Sequence, residues 1–375
     1  MSAQPRIGVV GGGVLGASTA AALARRGASV VLVTDGPLAS GASGRSLSWL
    51  NSAGDRSADY HRLRLVGIDR YRTLSANHPD ADWLRFDGGL TWRAPGEGDA
   101  LRATSAHERA LGYDSVLLTP DQVRERFPAV DADVIPADGA IWNPGEGWVD
   151  LPSLVRVLVD ELRAAGGEVV TDAGPARLEV GDDGVDAVRT DRQRWPVDAA
   201  VLATGAAVPH AAAELEVHIP EATPLALLVR TEPVSTGLRT VLNTPRAAVR
   251  PAPGGTLSVD ADWVTASIVG DAESGWSAPD EAVAELLAEG SRLLAGHPPL
   301  RPGHLGIGRK PIPADGEPVV GALPGVPGAH VVFTHSGATL GLVLGELLAD
   351  QMLTGEQPEL LAPFTPARFA TQPVG

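Results

Sequence analysis

The chain has no cysteine in its 375 residues. Disulfides, thiolate metal sites and cysteine nucleophiles are therefore excluded, and so is a cofactor tethered through cysteine sulfur. Basic residues are scarce: 30 Lys and Arg stand against 46 Asp and Glu, a formal net charge of −16. Nucleic acid and anionic membranes recruit proteins through basic patches, so neither is expected as a partner. The balance says nothing about the charge inside a pocket. No apolar run approaches the roughly 20 residues of a membrane span. There is no internal repeat and no low-complexity tract. A first strand beginning by about Arg6 leaves no room for a secretory leader, so a soluble, cytoplasmic protein without a metal site is expected. What is present is apolar residue in quantity, 44%, in a chain long enough for two domains or one large discontinuous one.

The stretch RIGVVGGGVLGASTAAALARRGASVVLVTD, from Arg6 to Asp35, reads as strand, glycine turn, helix and second strand. Ile7, Val9 and Val10 suit a buried parallel strand, and Val30 to Val33 its neighbour. Gly11, Gly13 and Gly16 have the spacing G-x-G-x-x-G after a strand and at the opening of a helix. Gly11 permits the tight turn, Gly13 lets backbone approach a pyrophosphate, and Gly16 lets helix pack on strand. The N-terminus of the helix beginning near Val14, with Leu15 in its first turn, then faces the phosphates. A ribose-binding carboxylate is expected roughly 20 residues past the glycines. That register falls on Thr34, with Asp35 one residue later, so the ribose contact is either the Thr34 hydroxyl or Asp35.

Residues 37–54 (PLASGASGRSLSWLNSAG) are dense in glycine and serine and read as a loop able to lie against a flat or charged ligand. Residues 58–78 have helical spacing at Tyr60, Leu63, Leu65, Ile68 and Tyr71. Phe86 to Arg93 alternates like a strand with a turn at Asp87-Gly88. Thr119 caps a helix with Pro120 in its first position. Pro152 to Ala165 is an amphipathic helix stopped by Gly166-Gly167, followed by a strand at Glu168 to Thr171 and a hairpin-like stretch from Gly181 to Arg194. Ala199 to Ala203 is a buried strand ending in the sharp turn Thr204-Gly205-Ala206, and ligands sit at the carboxyl ends of such strands. Thr223 to about Asp271 reads as antiparallel strands, with Pro253-Gly254-Gly255 as a hairpin turn. A helix opens at Ser277 and runs to about Leu294. Val331 to Thr334 is a strand, His335-Ser336-Gly337 a turn, and Leu340 to Met352 a helix. This second strand–glycine–helix unit suggests another helix N-terminus aimed at the same ligand.

Five motifs stand in order: VVGGGVLG at 9–16, SGASGRS at 40–46, VLATG at 201–205, PADGEPVVG at 313–321 and THSGATLG at 334–341. Together they resemble the D-amino-acid oxidase (DAO) family of flavoenzymes, the group of glycine oxidase, sarcosine oxidase and D-amino-acid dehydrogenase. The resemblance implies an α/β chain. A Rossmann-like FAD-binding domain of the GR2 type (1–57, 140–215, 305–375) would carry an inserted α+β substrate domain built on an antiparallel sheet (58–139, 216–304). It implies non-covalent FAD, with Ser40, Ser43, Gly44, Arg45 and Ser46 along the cofactor and Val170 or its neighbours framing the adenine. Thr204 and Gly205 would approach the phosphate or ribose. Gly308, Ser336, Gly337, Ala338, Thr339 and Leu340 would lie by the flavin, the helix N-terminus stabilising negative charge at N1 and O2. His335 is either a flavin neighbour or a hydrogen-bonded turn residue.

The implied chemistry is hydride removal from the carbon beside an amine or amino-acid nitrogen to flavin N5, giving an imine that hydrolyses (EC 1.4 or 1.5 type). Oxygen or another acceptor would reoxidise the flavin. One departure stands out in GRKPIP, residues 308–313. The family typically places an arginine before the proline, forked onto a substrate carboxylate; here Lys310 stands there, with Arg309 before it. Lysine pairs as a point charge without the fork. Arg309 re-aimed by one residue, Lys310 itself, or a substrate without a simple amino-acid carboxylate are the alternatives, beside two solvated charges on a strand edge. Tyr60, Arg62, Trp49 and Trp142 either line the pocket or belong to the core. The functional alternatives are an oxidase of a specialised biosynthetic amine lacking a carboxylate and a non-catalytic FAD-binding protein. An NAD-dependent dehydrogenase accounts poorly for THSGATLG, and a flavin hydroxylase lacks its second nucleotide-phosphate motif.

Overall fold

The computed structural model describes residues 4–271 and 274–369. The chain divides into two compact units. The first holds the described residues up to Gly44, together with Leu151–Pro224 and those from Arg309 onward; the second is Arg45–Asp150 with Leu225–Gly308. The crossings differ from the expected boundaries. Residues 45–57, 140–150 and 305–308 lie with the second unit, and 216–224 with the first.

The first unit is a doubly wound layer. Its sheet runs in the order Val319–Ala322, Ala329–Phe333, Ala199–Leu202, Arg6–Val10, Ser29–Val33, Glu168–Val170. All neighbours are parallel except the first pair. Such a sheet is buried on both faces, and its strands are accordingly continuous Val, Leu and Ala runs. Val10, Val31, Val33, Ala200 and Leu202 meet a three-stranded antiparallel ribbon, 177–196, through Val185, Val188 and Trp195. The helix Val14–Arg25 packs against Gly337–Thr354 and Leu151–Ala164. Gly345 sets the first of these contacts: a Cβ there would stand 2.4 Å from Ser18 Oγ.

The second unit is built on an eight-stranded sheet, ordered Pro302–Arg309, Leu225–Thr231, Thr256–Asp260, Ala248–Ala252, Val241–Asn243, Gly89–Thr91, Ala140–Asn143, Val116–Leu118. Most of its strands pair antiparallel; Val241–Asn243 with Gly89–Thr91 is parallel. The turn Pro253–Gly255 joins Ala248–Ala252 to Thr256–Asp260, as the sequence predicts. Val229, Val249, Leu257 and Val259 pack with Leu286 and Leu287 of the helix Asp280–Arg292. Thr119 and Gln122 form a complete capping box on Pro120–Arg126.

Two local expectations are corrected. Leu65 of the helix Ala58–Asn77 is 36% exposed, and the buried stripe includes His61 and Arg64 instead. Period alone does not foresee a buried arginine. The last long helix begins at Gly337 rather than Leu340, because Leu340 N–H already donates to Ser336 O at 2.9 Å.

Candidate functional site

In the first unit the glycine turn is shaped by contacts that no side chain tolerates. Gly11 has φ +122°, and a Cβ on it would lie 2.3 Å from Ala203 O. At Gly16 the same atom would lie 1.9 Å from Gly11 O. Gly13 caps the helix Val14–Arg25 without a side-chain bond, and the following N–H, that of Val14, donates to Ser43 Oγ at 3.0 Å. Loop and helix start are thus tied directly, and Ala39 N–H donates to Gly12 O at 2.9 Å. The first-turn N–H groups of Leu15 and Gly16 have no intrahelical acceptor. No acidic residue stands in that turn.

Thr34 and Asp35 part ways. Thr34 is buried and its side chain closes on Gly12, where a Cβ would be 2.9 Å from Thr34 Oγ1. Its N–H donates to Val170 O at 2.9 Å. Asp35 is exposed and accepts from Gly36 N–H at 2.8 Å. Gly205 follows the strand Ala199–Leu202 with φ +60°. Beside it the Thr204 hydroxyl oxygen is buried with no hydrogen-bond partner among the described residues. A buried hydroxyl left unpaired is costly and marks a place for a ligand. The glycine cradle and this orphaned hydroxyl fit the phosphate and ribose of an extended dinucleotide.

The helix Gly337–Thr354 starts beside this turn. A Cβ on Gly337 would touch Val14 Cγ1 at 3.6 Å and Leu15 Cγ at 3.9 Å. Two helix N-termini therefore converge, and the second also has no acid in its first turn. Ala338, Thr339 and Leu340 are buried, Ser336 N–H donates to Thr334 Oγ1 at 3.1 Å, and His335 is exposed.

The charged pair expected to hold a carboxylate stands at the end of the strand Pro302–Arg309. Arg309 is exposed and donates through Nη1 to Thr223 O at 3.2 Å; Lys310 N–H donates to Pro224 O at 2.8 Å. Arg45 belongs to the second unit, where its guanidinium covers the glycine strand: a Cβ on Gly308 would be 2.6 Å from Arg45 Nε. Burial pushes its guanidinium below the ordinary value. Ser46 Oγ accepts from Ser48 N–H at 3.0 Å, and Gly44 approaches Ala39 O, 2.5 Å from where a Cβ would sit. Ser40 is exposed.

The second unit holds a network that no motif announced. Glu146 is 0% exposed and accepts from Trp49 Nε1 at 2.7 Å and Tyr113 OH at 2.5 Å. Tyr113 OH accepts in turn from Ser52 N–H, and Ser52 Oγ meets His61 Nδ1 at 2.8 Å. Glu108 accepts from Gly54 N–H at 2.8 Å and Asn143 Nδ2 at 3.1 Å. Arg64 donates to Asn51 O and Asn51 Oδ1 at 2.8 and 2.9 Å. Burial pushes the Glu146 carboxyl up to about 8, against the pull of its Tyr113 and Trp49 donors, and burial lowers the His61 imidazole. Tyr60 is buried beside Arg64, Arg62 is exposed, and Trp142 packs on Phe127 in the core. Sequence reading also missed Arg250, fully buried on a strand of the large sheet. A single arginine in the apolar strand AVRPA was the available signal.

Residues 6–351 match the DAO family, described as FAD dependent oxidoreductase, and the chain belongs to that family. The oxidoreductase YurR of Bacillus subtilis is 27% identical over 391 aligned positions, covering 96% of this chain and 98% of that protein. The crystal structure of glycine oxidase from Geobacillus kaustophilus superposes with a TM-score of 0.83 at 22% identity, covering 99% of this chain and 100% of the other. L-amino acid deaminase from Proteus vulgaris gives 0.83 at 18% identity over 98% of each chain. The last two likenesses establish the fold: an FAD-binding Rossmann-like domain with a substrate domain.

Proposed function

We propose that this FAD-dependent oxidoreductase removes a hydride from the carbon beside the nitrogen of a small amine or amino acid. The imine formed hydrolyses to a carbonyl compound and an amine or ammonia, as in an oxidase or dehydrogenase of the EC 1.4 or 1.5 type. The observation that carries the reading is the cradle of Gly11 and Gly16 beside the orphaned Thr204 hydroxyl, below two helix N-termini without acids. FAD, bound non-covalently, supplies the hydride acceptor. The residues from Gly11 to Gly16 hold its pyrophosphate through backbone N–H groups and the helix dipole. Thr34, buried against Gly12, makes the ribose contact in preference to the exposed Asp35. Val170 frames the adenine. Ser43 fixes the loop from Ser40 to Gly44 against the helix start, and Arg45 with Ser46 continues it. Ser336 to Leu340 present the second positive helix end to the anionic charge of the reduced cofactor.

The chain's own part in the reaction is positioning: the amine enters neutral and its C–H bond is aligned, so no general base is required. Glycine oxidase and L-amino acid deaminase as fold neighbours support an amine-bearing substrate. Oxygen or another carrier takes the electrons away, and a cytoplasmic location belongs to the same reading. Among the described residues, no helix is long and apolar enough to cross a membrane.

The test is the visible spectrum of the purified protein under anaerobic conditions, before and after adding glycine, sarcosine, D- and L-amino acids and carboxylate-free amines. Bleaching of a flavin band by one of them is the expected result. A yellow protein that no amine bleaches would favour a non-catalytic binding protein, and no flavin band after reconstitution would remove the reading altogether.

A further inference from the structure

The large sheet of the second unit carries a row of three polar residues on the face away from its apolar core. Arg230 is paired across strands with Ser258, and Ser258 with Arg250. Their strand neighbours Val229, Val249, Leu257 and Val259 point into the core, so by alternation the three project together from the other face.

Around this row several buried donors are left without an acceptor. Arg250 is 1% exposed, and of its five N–H donors two are used: Nε donates to Leu47 O and Nη1 to Pro251 O at 2.7 Å. Its guanidinium lies over the Trp148 ring, 5.3 Å from the centroid. Asp150 and Asp260 act on it through space. Asp150 is engaged by Arg230 at 2.9 Å. Ser258 Oγ and Trp148 Nε1 are both buried with no hydrogen-bond partner among the described residues. Buried charges and buried donors are ordinarily paired. A guanidinium, a hydroxyl and an indole N–H left short of acceptors in one packed group suit an anion with two oxygens.

We propose that Arg250 and Ser258 bind the carboxylate of the substrate, with Arg230, held by Asp150, as the positioning residue at the mouth. The Arg230 side chain is 25% exposed, so the row runs from an accessible end to a closed one. This assignment, which rests on the reading of the chain as an amine oxidase, narrows the substrate to an amine that carries a carboxylate. It also moves the carboxylate anchor away from Arg309 and Lys310. Lysine in the usual arginine position is then no loss, because the planar fork that a carboxylate prefers is supplied by the central sheet.

The test uses the FAD-loaded protein and benzoate as the probe, with benzamide as its neutral counterpart, followed by calorimetry. Benzoate is expected to bind saturably and benzamide not. Arg250→Met should weaken benzoate by about tenfold or more, the loss of a charge-assisted bond, and Ser258→Ala by roughly threefold. Arg230→Gln should weaken it less, with recovery in Arg230→Lys. If Arg250→Met does not fold, Arg250→Lys and Ser258→Ala decide, since both keep the volume nearly intact. Benzoate binding equal to wild type in Ser258→Ala and in either Arg250 variant overturns the assignment. So does equal binding of benzamide, absence of benzoate binding to the wild type, or a loss found only in Arg309→Met. The two readings fail separately. Amines that bleach the flavin equally well with and without a carboxylate sink the anchor and leave amine oxidation standing. Benzoate held by Arg250 in a protein whose flavin no amine bleaches does the reverse.

Discussion

The two units bury polar side chains of different kinds. In the first, the buried polar side chains among the described residues are all hydroxyls: Ser18, Thr19, Thr34, Ser43, Thr190, Thr223, Thr334 and Thr339. In the second they include His61, Arg64, Glu108, Glu146, Asp150 and Arg250. The helices repeat the contrast. Ala58–Asn77, Gly98–Ala110, Pro120–Arg126 and Asp280–Arg292 of the second unit each carry an acid in the first turn. Val14–Arg25, Leu151–Ala164, Val208–Ala213 and Gly337–Thr354 of the first carry none. A helix that supplies its own anion has little positive end left for a ligand. The first unit therefore offers backbone geometry and uncompensated helix dipoles, features that suit a dinucleotide phosphate. The second buries placed charges and carboxyl groups.

The contrast breaks most sharply at the charge network. Glu146→Ala should cost about 3–5 kcal/mol, because it strands the Trp49 and Tyr113 donors in a dry interior at about 1–3 kcal/mol each. Urea unfolding followed by tryptophan fluorescence measures it, and a loss under about 1 kcal/mol would show that water replaces the carboxylate. Nearly as large is the effect of Gly11→Ala. The clash with Ala203 O and the strain at φ +122° together should cost roughly 3 kcal/mol and abolish the flavin absorbance of the purified protein.

A pH profile sharpens the same comparison. The Glu146 carboxyl stands at about 8 in the folded chain, above its ordinary value of 4.5. The folded state then holds a proton that the unfolded state releases between those two values. Stability should be greatest below about pH 4.5 as far as this group is concerned, fall as the pH rises through about 8, and level off above it. His61, whose imidazole is lowered, acts in the opposite sense below its ordinary range. The difference in unfolding free energy between wild type and Glu146→Gln isolates the carboxyl, and a difference that does not change with pH would refute it.

Smaller effects follow in the first unit. Thr204→Val should leave the Tm of the flavin-free protein unchanged or slightly raised, since it removes an unpaired buried hydroxyl, while weakening FAD about tenfold in a fluorescence titration. Unaltered affinity would place the cofactor away from that strand end. Least of all, Asp121→Asn on the second-unit helix should cost about 0.3–1 kcal/mol, read from chemical denaturation at low salt and shrinking as salt is added.

Much of the first unit is readable from the chain because its glycine turn rests on local rules. A glycine spacing, a strand before it and a helix after it depend only on neighbours in the chain, and Gly11, Gly13 and Gly16 stand where the pattern put them. Thr34 against Asp35 was undecided in the chain; the buried approach of Thr34 to Gly12 separates them in space. Ser43 was expected near the ligand, but its bond to Val14 N–H, across 29 residues, is a tertiary fact. The second unit was readable only as strands and helices. The sequence marks Arg309 and Lys310, beside a proline in the first unit, as the candidates for holding a carboxylate. Arg250 bears no mark except its company of apolar neighbours.

By itself the sequence determined much of the order of elements, the glycine turn and the family, since period, glycine spacing and capping act over a few residues. The tertiary structure alone decided which charges go inside. Glu146 meets Trp49 across 97 residues, and Arg230 meets Asp150 across 80. Whether a carboxylate or a guanidinium is solvated or buried depends on strand register and on what covers the sheet. Those are properties of packing, to which no local pattern of residues gives access.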